Sequence, residues 1–323
     1  MSKNENTAPP HGTANRRRSE TQGLRDLFAS QWHHLQSIFE RSEMANDVLT
    51  QDPDLLSDAI ESTIEGTDKR IRAIGHYKKK LRNSIGATLN YIDTAVACIP
   101  DAIVMNKNNF THDPQINAFF VNMNDIQHIF SASPILQAFF TQPERRRYDE
   151  AYIVLFSRRI DKRVFGKIIQ DDMLVSEVAQ IAVNFSDHEI IAAAESEQTI
   201  RRDLKEYVFT HIVQYISTYM QQIRRQQQEQ IDAGDIGVCI SGVNNPEVYL
   251  HELIRQLSIP GPLLHCKKIP LRLNKMGIEI NNDSTETANE FVAHEFRIGQ
   301  QSPRLVTILR YPRKKMLTDK SLF

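Results

Sequence analysis

Apolar side chains recur at every third or fourth residue through most of the first half of this chain, a spacing that gathers them on one helical face. Leu24, Leu27, Phe28, Trp32, Leu35, Ile38 and Phe39 begin the pattern. Asp52-Pro53 then marks a helix start. An Asp side chain accepts from the free N–H groups of a first turn, and Pro at the next position gives up no needed donor. The helix it opens carries Leu55, Leu56, Ala59, Ile60 and Ile64 on one side and Asp54, Asp58, Glu61 and Glu65 on the other. A longer helix is expected from about Thr67 to Ile99, with Ile71, Ile74, Tyr77, Leu81, Ile85, Leu89, Ile92, Val96 and Ile99 in one stripe. Gly75 and Gly86 weaken it by roughly 1 kcal/mol each against Ala, but the spacing runs through both.

Two similar stretches follow, DPQINAFF from Asp113 and SPILQAFF from Ser133. Each offers an N-cap residue, then Pro at the first helical position, then a Phe pair on the second turn. No third copy occurs, and repeat arrays need at least three. The echo therefore predicts two helix starts rather than a ligand motif or a solenoid. Ala151 to Phe165 reads as a further helix. QIAVNFSDHEIIAAA reads as strand, turn and strand, with the polar Ser186–Glu189 break between alternating segments.

A long helix is expected from Ser196 to Gln230, striped by Ile200, Leu204, Val208, Ile212, Tyr215, Tyr219 and Ile223. His211 and Thr218 would fill its seam positions, so no coiled coil is expected. The remainder reads as a short strand (GVCIS, 237–241), a helix from Pro246 to Leu257, and strands. IPLRL and GIEI flank a hairpin turn, and alternation over Val292–Ile298 and Leu305–Tyr311 gives two more strands. Short connections imply antiparallel pairing. The fold class is α+β: a helical N-terminal domain followed by a long helix and a small antiparallel sheet domain. Composition divides the chain into a disordered tail (1–22), a helical domain (23–170) and an α+β domain (171–323).

Composition narrows the function. Hydrophobic residues make up 41% and charged residues 24%, enough apolar material for an ordinary core. The 39 basic and 40 acidic residues nearly cancel, so only a local patch would attract a charged partner. Three scattered cysteines, Cys98, Cys239 and Cys266, fit reduced thiols in a cytoplasmic compartment. No stretch approaches the roughly 20 apolar residues of a membrane span, and the first residues carry no apolar signal-peptide core. No membrane insertion is expected. Walker A, Gly-x-Gly-x-x-Gly and Gly-x-Ser-x-Gly sequences are all missing, which disfavours nucleotide-dependent enzymes and α/β-hydrolases.

Four features offer chemistry. Residues 68–82 hold seven Lys or Arg, and helical spacing puts Lys69, Arg72, His76, Lys79 and Lys80 on one face, a candidate polyanion-binding site. Its competing reading is a face neutralised by the preceding acidic helix. Basic clusters at Arg16–Arg18 and Arg310–Lys315 read as weak contact features. His-Glu pairs at 188–189, 251–252 and 294–295 lack the convergent ligands a metal needs, and Arg255 stands where HExxH requires a second His. Lys267 and Lys268 follow Cys266 and would favour its thiolate, although a small buried hydrophobe is the simpler reading. No cofactor is expected. The sequence thus favours a non-catalytic protein that binds an unknown protein partner or self-associates, through the 196–230 helix. The alternatives are a nucleic-acid or other polyanion binder, and an enzyme whose site is assembled from His188 or Cys266.

Overall fold

A computed structural model describes residues 53–106, 110, 112–170, 173–232, 245–280 and 287–317. The expected tail 1–22, the Leu24–Phe39 helix and the 237–241 strand lie outside the described residues. The fold is α+β, with seven helices among the described residues and a curled, largely antiparallel sheet.

Helix α1 (Pro53–Gly66) begins at the expected proline. The expected 67–99 helix is divided. A 3-10 turn occupies Lys69–Ala73, and α2 (Tyr77–Ala97) starts afresh after His76, whose φ of 59° lies in the left-handed region. Asp68 caps the 3-10 turn by accepting from the Arg70 N–H, so the local hydrogen bonds compete with a continuous helix. A two-residue strand, β1 (Ile103–Val104), precedes α3 (Pro114–Phe119), α4 (Met123–Ser131) and α5 (Pro134–Thr141). Both expected caps form. Asp113 accepts from the N–H groups of Gln115 and Ile116, and Ser133 accepts from that of Leu136. The Phe pairs at 119–120 and 139–140 are buried.

The expected helix over Ala151–Phe165 is instead part of β2 (Glu150–Gln170), which pairs with β3 (Met173–Ala194) in one long hairpin. The reason is burial on both faces. Val154 and Phe156 enter one core while Ala151, Ile153 and Leu155 enter the other, so the alternation that marks a strand disappears into an apolar run. Nor is there a turn at Ser186–Glu189. β3 continues through it, and Asp187 and His188 together stand opposite Ser157 in a bulge with Asp187 at φ 50°.

Helix α6 (Glu197–Asp232) and α7 (Pro246–Ser258) follow, then β4 (Leu264–Leu273), β5 (Asn289–Ile298) and β6 (Arg304–Pro312). Sheet order is β3-β2-β6-β5-β4, with β1 parallel to β6. The sheet curls until its ends touch. The Val183 N–H donates to the Gly277 carbonyl and the Glu279 N–H to that of Ile181, both at 2.8 Å. Gly277 has φ +75°, and an added Cβ would stand 2.9 Å from the Val183 carbonyl oxygen, so the closure needs glycine there.

Helices cover both faces of the sheet. On one side α3, α4 and α5 share a core with Ile153, Leu155, Leu305, Leu309 and Tyr311. On the other, α1, α2, α6 and α7 pack against Val154, Phe156, Phe296, Val306 and Ile308. Both cores draw on residues before and after position 170. In α6 the stripe Ile200, Leu204, Val208 and Ile212 is completely buried, while Tyr215, Tyr219 and Ile223 are partly buried against the same core.

Arg201 of α6 ties the helices together. Its guanidinium donates to the carbonyls of Val96 (3.2 Å), Ile99 (3.0 Å) and Pro100 (2.8 Å), and to Glu197 at 2.6 Å. The Val96 carbonyl also accepts from the Ile99 N–H at 3.1 Å, while Ile99 and Pro100 lie just past the end of α2, where carbonyls lack helical partners. Arg201→Met keeps the stem and removes the donors. It should destabilise the protein by about 2 kcal/mol in urea unfolding, whereas an unchanged midpoint would show that solvent replaces the guanidinium.

Candidate interaction surface

The five basic residues singled out in the sequence do not share one uninterrupted helix. Lys69 and Arg72 lie on the 3-10 turn, His76 at the break, and Lys79 and Lys80 on the first turn of α2. Acids of α1 engage the first two. Glu65 pairs with Lys69 at 2.8 Å and with Arg72 at 2.6 Å, and Glu61 pairs with Arg72 at 3.1 Å. Glu61 also takes Lys78 at 3.0 Å and accepts from the Tyr77 hydroxyl at 2.7 Å. Hydrogen bonds from Lys69 and Arg72 hold the Glu65 carboxyl below its usual value. Lys79, Lys80 and His76 are exposed.

His188 and Cys266 lie on opposite faces of the sheet, so they form no composite site. His188 packs against Phe119 and Phe120, and its Nδ1 is 2.8 Å from the Ser157 hydroxyl, which is itself buried. Burial pushes the imidazole below its usual pKa, against a hydrogen bond to the Phe119 backbone and the Asp187 charge. This is a satisfied core histidine. Cys266 belongs to the α2 side, where burial pushes its thiol up to about 12, with Cys98 adding to the shift. The neighbouring lysines therefore do not activate it. Among the other His-Glu pairs, Glu252 is held by Arg255 at 2.5 Å, the residue that interrupts HExxH. Among the described residues no group of His, Cys, Asp or Glu converges as metal ligands.

The feature that the sequence reading missed is the length of the β2–β3 hairpin. β6 pairs with β2 only from Glu150 to Ser157. Beyond Ser157 the two strands continue as a ribbon, anchored at its base. Phe185 stacks on Phe119 at 4.5 Å and Val183 is buried in the core. Arg159 braces the same face, bonding Asp161 at 2.7 Å and reaching Glu279 at 3.6 Å. Further out, register pairs Arg163 with Ile181 and Phe165 with Ala179. These continue the face of Val183 and Phe185, since residues two apart share a side. Here the face is uncovered: Phe165 is 80% exposed and Ile181 41%. The ladder then carries Ile168, Ile169, Met173, Leu174 and Val175 in sequence, roughly 20 Å past the last support. β3 is the end strand of the sheet order, and among the described residues the edge of β3 outward of Ile181 meets no further strand.

Comparison of the chain with family models, curated proteins and solved structures finds no significant match. No helix among the described residues is long and apolar enough to cross a membrane.

Charges near α6 give opposite pH responses. Asp68 is buried, which works against its charge, yet donors from Arg70 and Arg224 hold its carboxyl below the usual 3.8. Its stabilising effect is present above that value and lost as pH falls through the lowered one. Burial instead raises Asp203 to about 6, against the charge and hydrogen bond of Arg202. The fold then binds a proton that the unfolded chain releases, so stability falls as pH rises from 3.8 to about 6. In urea unfolding at pH 7, Asp68→Asn should cost about 2 kcal/mol. Asp203→Asn should add about 1–3 kcal/mol at pH 7 and almost nothing at pH 4. Equal effects of Asp203→Asn at the two pH values would contradict this assignment.

Proposed function

We propose that this protein is a non-catalytic, self-associating protein of a cytoplasmic compartment, and that its contact element is the β2–β3 arm. The carrying observation is an apolar row that continues along β3, with Arg159, Asp161 and Arg163 beside it on β2 and Phe165 beyond them. It runs from the core at Phe185 and Val183 out to Ile181 and Phe165, which are exposed among the described residues. A two-stranded ribbon is marginal in water by itself, and an uncovered apolar strand edge is a template for further pairing. A second copy supplies both requirements at once. In a two-fold arrangement the same edge of β3 meets itself antiparallel, and the apolar residues of the two arms join on one face of the extended sheet. Free thiols at Cys98 and Cys266 suit a reducing compartment.

The 196–230 helix, favoured for this role by its stripe, has Ile200, Leu204, Val208 and Ile212 already buried in the core. The arm is the better contact element. Phe165→Glu combined with Ile181→Glu should weaken association by about a hundredfold or more, leaving a monomer with the wild-type circular dichroism spectrum. Light scattering across a concentration series reads both outcomes. A wild-type protein that stays monomeric throughout, or a double variant that associates as wild type does, overturns the reading.

A further inference from the structure

A second, unrelated feature lies on the other side of the sheet. Cross-strand register sets Cys266 opposite Phe296 and Lys268 opposite His294, all four on the sheet face that looks toward α2. Facing them, Tyr91, Thr94 and Ala95 on the last turns of α2 and Cys98 at its C-cap follow one another at helical spacing. Between helix and hairpin is a half-open cleft of about 170 Å³. An apolar cavity of about 150 Å³ holds benzene, so the space is sized for one ring or a short chain.

The two ends of the cleft differ. Tyr91, Ala95 and Phe296 give an apolar slot, completed by the polarizable sulfurs. The other end holds Lys268 and His294 side by side, and no carboxylate lines the cleft among the described residues. Lys267 also lines the cleft, and Glu295, its cross-strand partner, does not. Burial and the Lys268 charge both hold His294 below its usual pKa, leaving a neutral imidazole beside an ammonium. Both groups can donate a hydrogen bond to an anion, and charge-assisted bonds of this kind are the stronger ones.

We propose that this cleft binds a small amphipathic carboxylate about the size of benzoate, with its ring or chain between Tyr91, Ala95 and Phe296 and its carboxylate on Lys268 and His294. A protein that selects such a ligand need not transform it, and the site is independent of the arm.

Fluorine NMR titrations of the full chain test this with 4-fluorobenzoate and its neutral isostere 4-fluorobenzamide. The carboxylate should bind saturably, and the amide about tenfold more weakly or worse. Lys268→Met, at an exposed position, should reduce the carboxylate to the level of the amide. Thr94→Trp, at the exposed mouth, should block both ligands while leaving the circular dichroism spectrum unchanged. Absence of saturable 4-fluorobenzoate binding overturns the proposal. So does equal affinity for the amide, unchanged affinity in Lys268→Met, or binding that survives Thr94→Trp.

Discussion

A sheet that is apolar on both faces must be covered on both faces, and most of this structure follows from that requirement. β2 and β6 send alternate residues into two separate cores, so neither strand can exist next to solvent. The three short helices after β1 cover one face, and the four longer ones cover the other. The cover has a definite extent. Where β6 stops, at the level of Ser157, both β2 and β3 continue. The arm is thus the part of a two-sided sheet that β6 and the described helices do not reach. The exposure of Phe165 and Ile181 follows from a hairpin longer than the strand it pairs with.

The electrostatics follow a related logic. Charges on this protein are mostly used to terminate and join elements. Arg201 closes the end of α2, Asp68 receives Arg70 and Arg224, and the acids of α1 receive the cations that precede α2. In a basic cluster that looks like a polyanion site in one dimension, Lys69 and Arg72 are already paired with acids of α1. Lys268 and His294 differ because they face a space instead of a carboxylate.

Much of the fold was legible in the sequence wherever one local signal dominated. Asp113-Pro114 and Ser133-Pro134 fixed helix starts to the residue, because capping is decided within four positions. The stripe of α6 and the alternation in β5 and β6 were readable because each has one clear buried face or period. Legibility failed where burial was two-sided. Ala151 to Phe156 carries no alternation, and the same residues suit a buried helix. It failed again where one inserted residue changed the phase, as at Asp187-His188, which looked like a turn and is a bulge. The cleft was half legible. Cys266 and His294 were each noticed, but their meeting depends on the β4–β5 register and on the placement of α2 against it. No local pattern carries that information.

The order of the strands also sets an order of assembly. β2 and β3 are neighbours in the chain and pair with each other along their length. Yet β6, which completes β2, is the last strand of the described chain, with Glu150 meeting Pro312 and Ser157 meeting Leu305. Partners roughly 150 residues apart make contact late, since the entropy of closing so long a loop comes before any contact rewards it. A nascent chain therefore holds the hairpin with its inner edge open until the final strand is made. During that interval the protein has two uncovered strand edges in place of one, and C-terminal strand β6 removes the first of them.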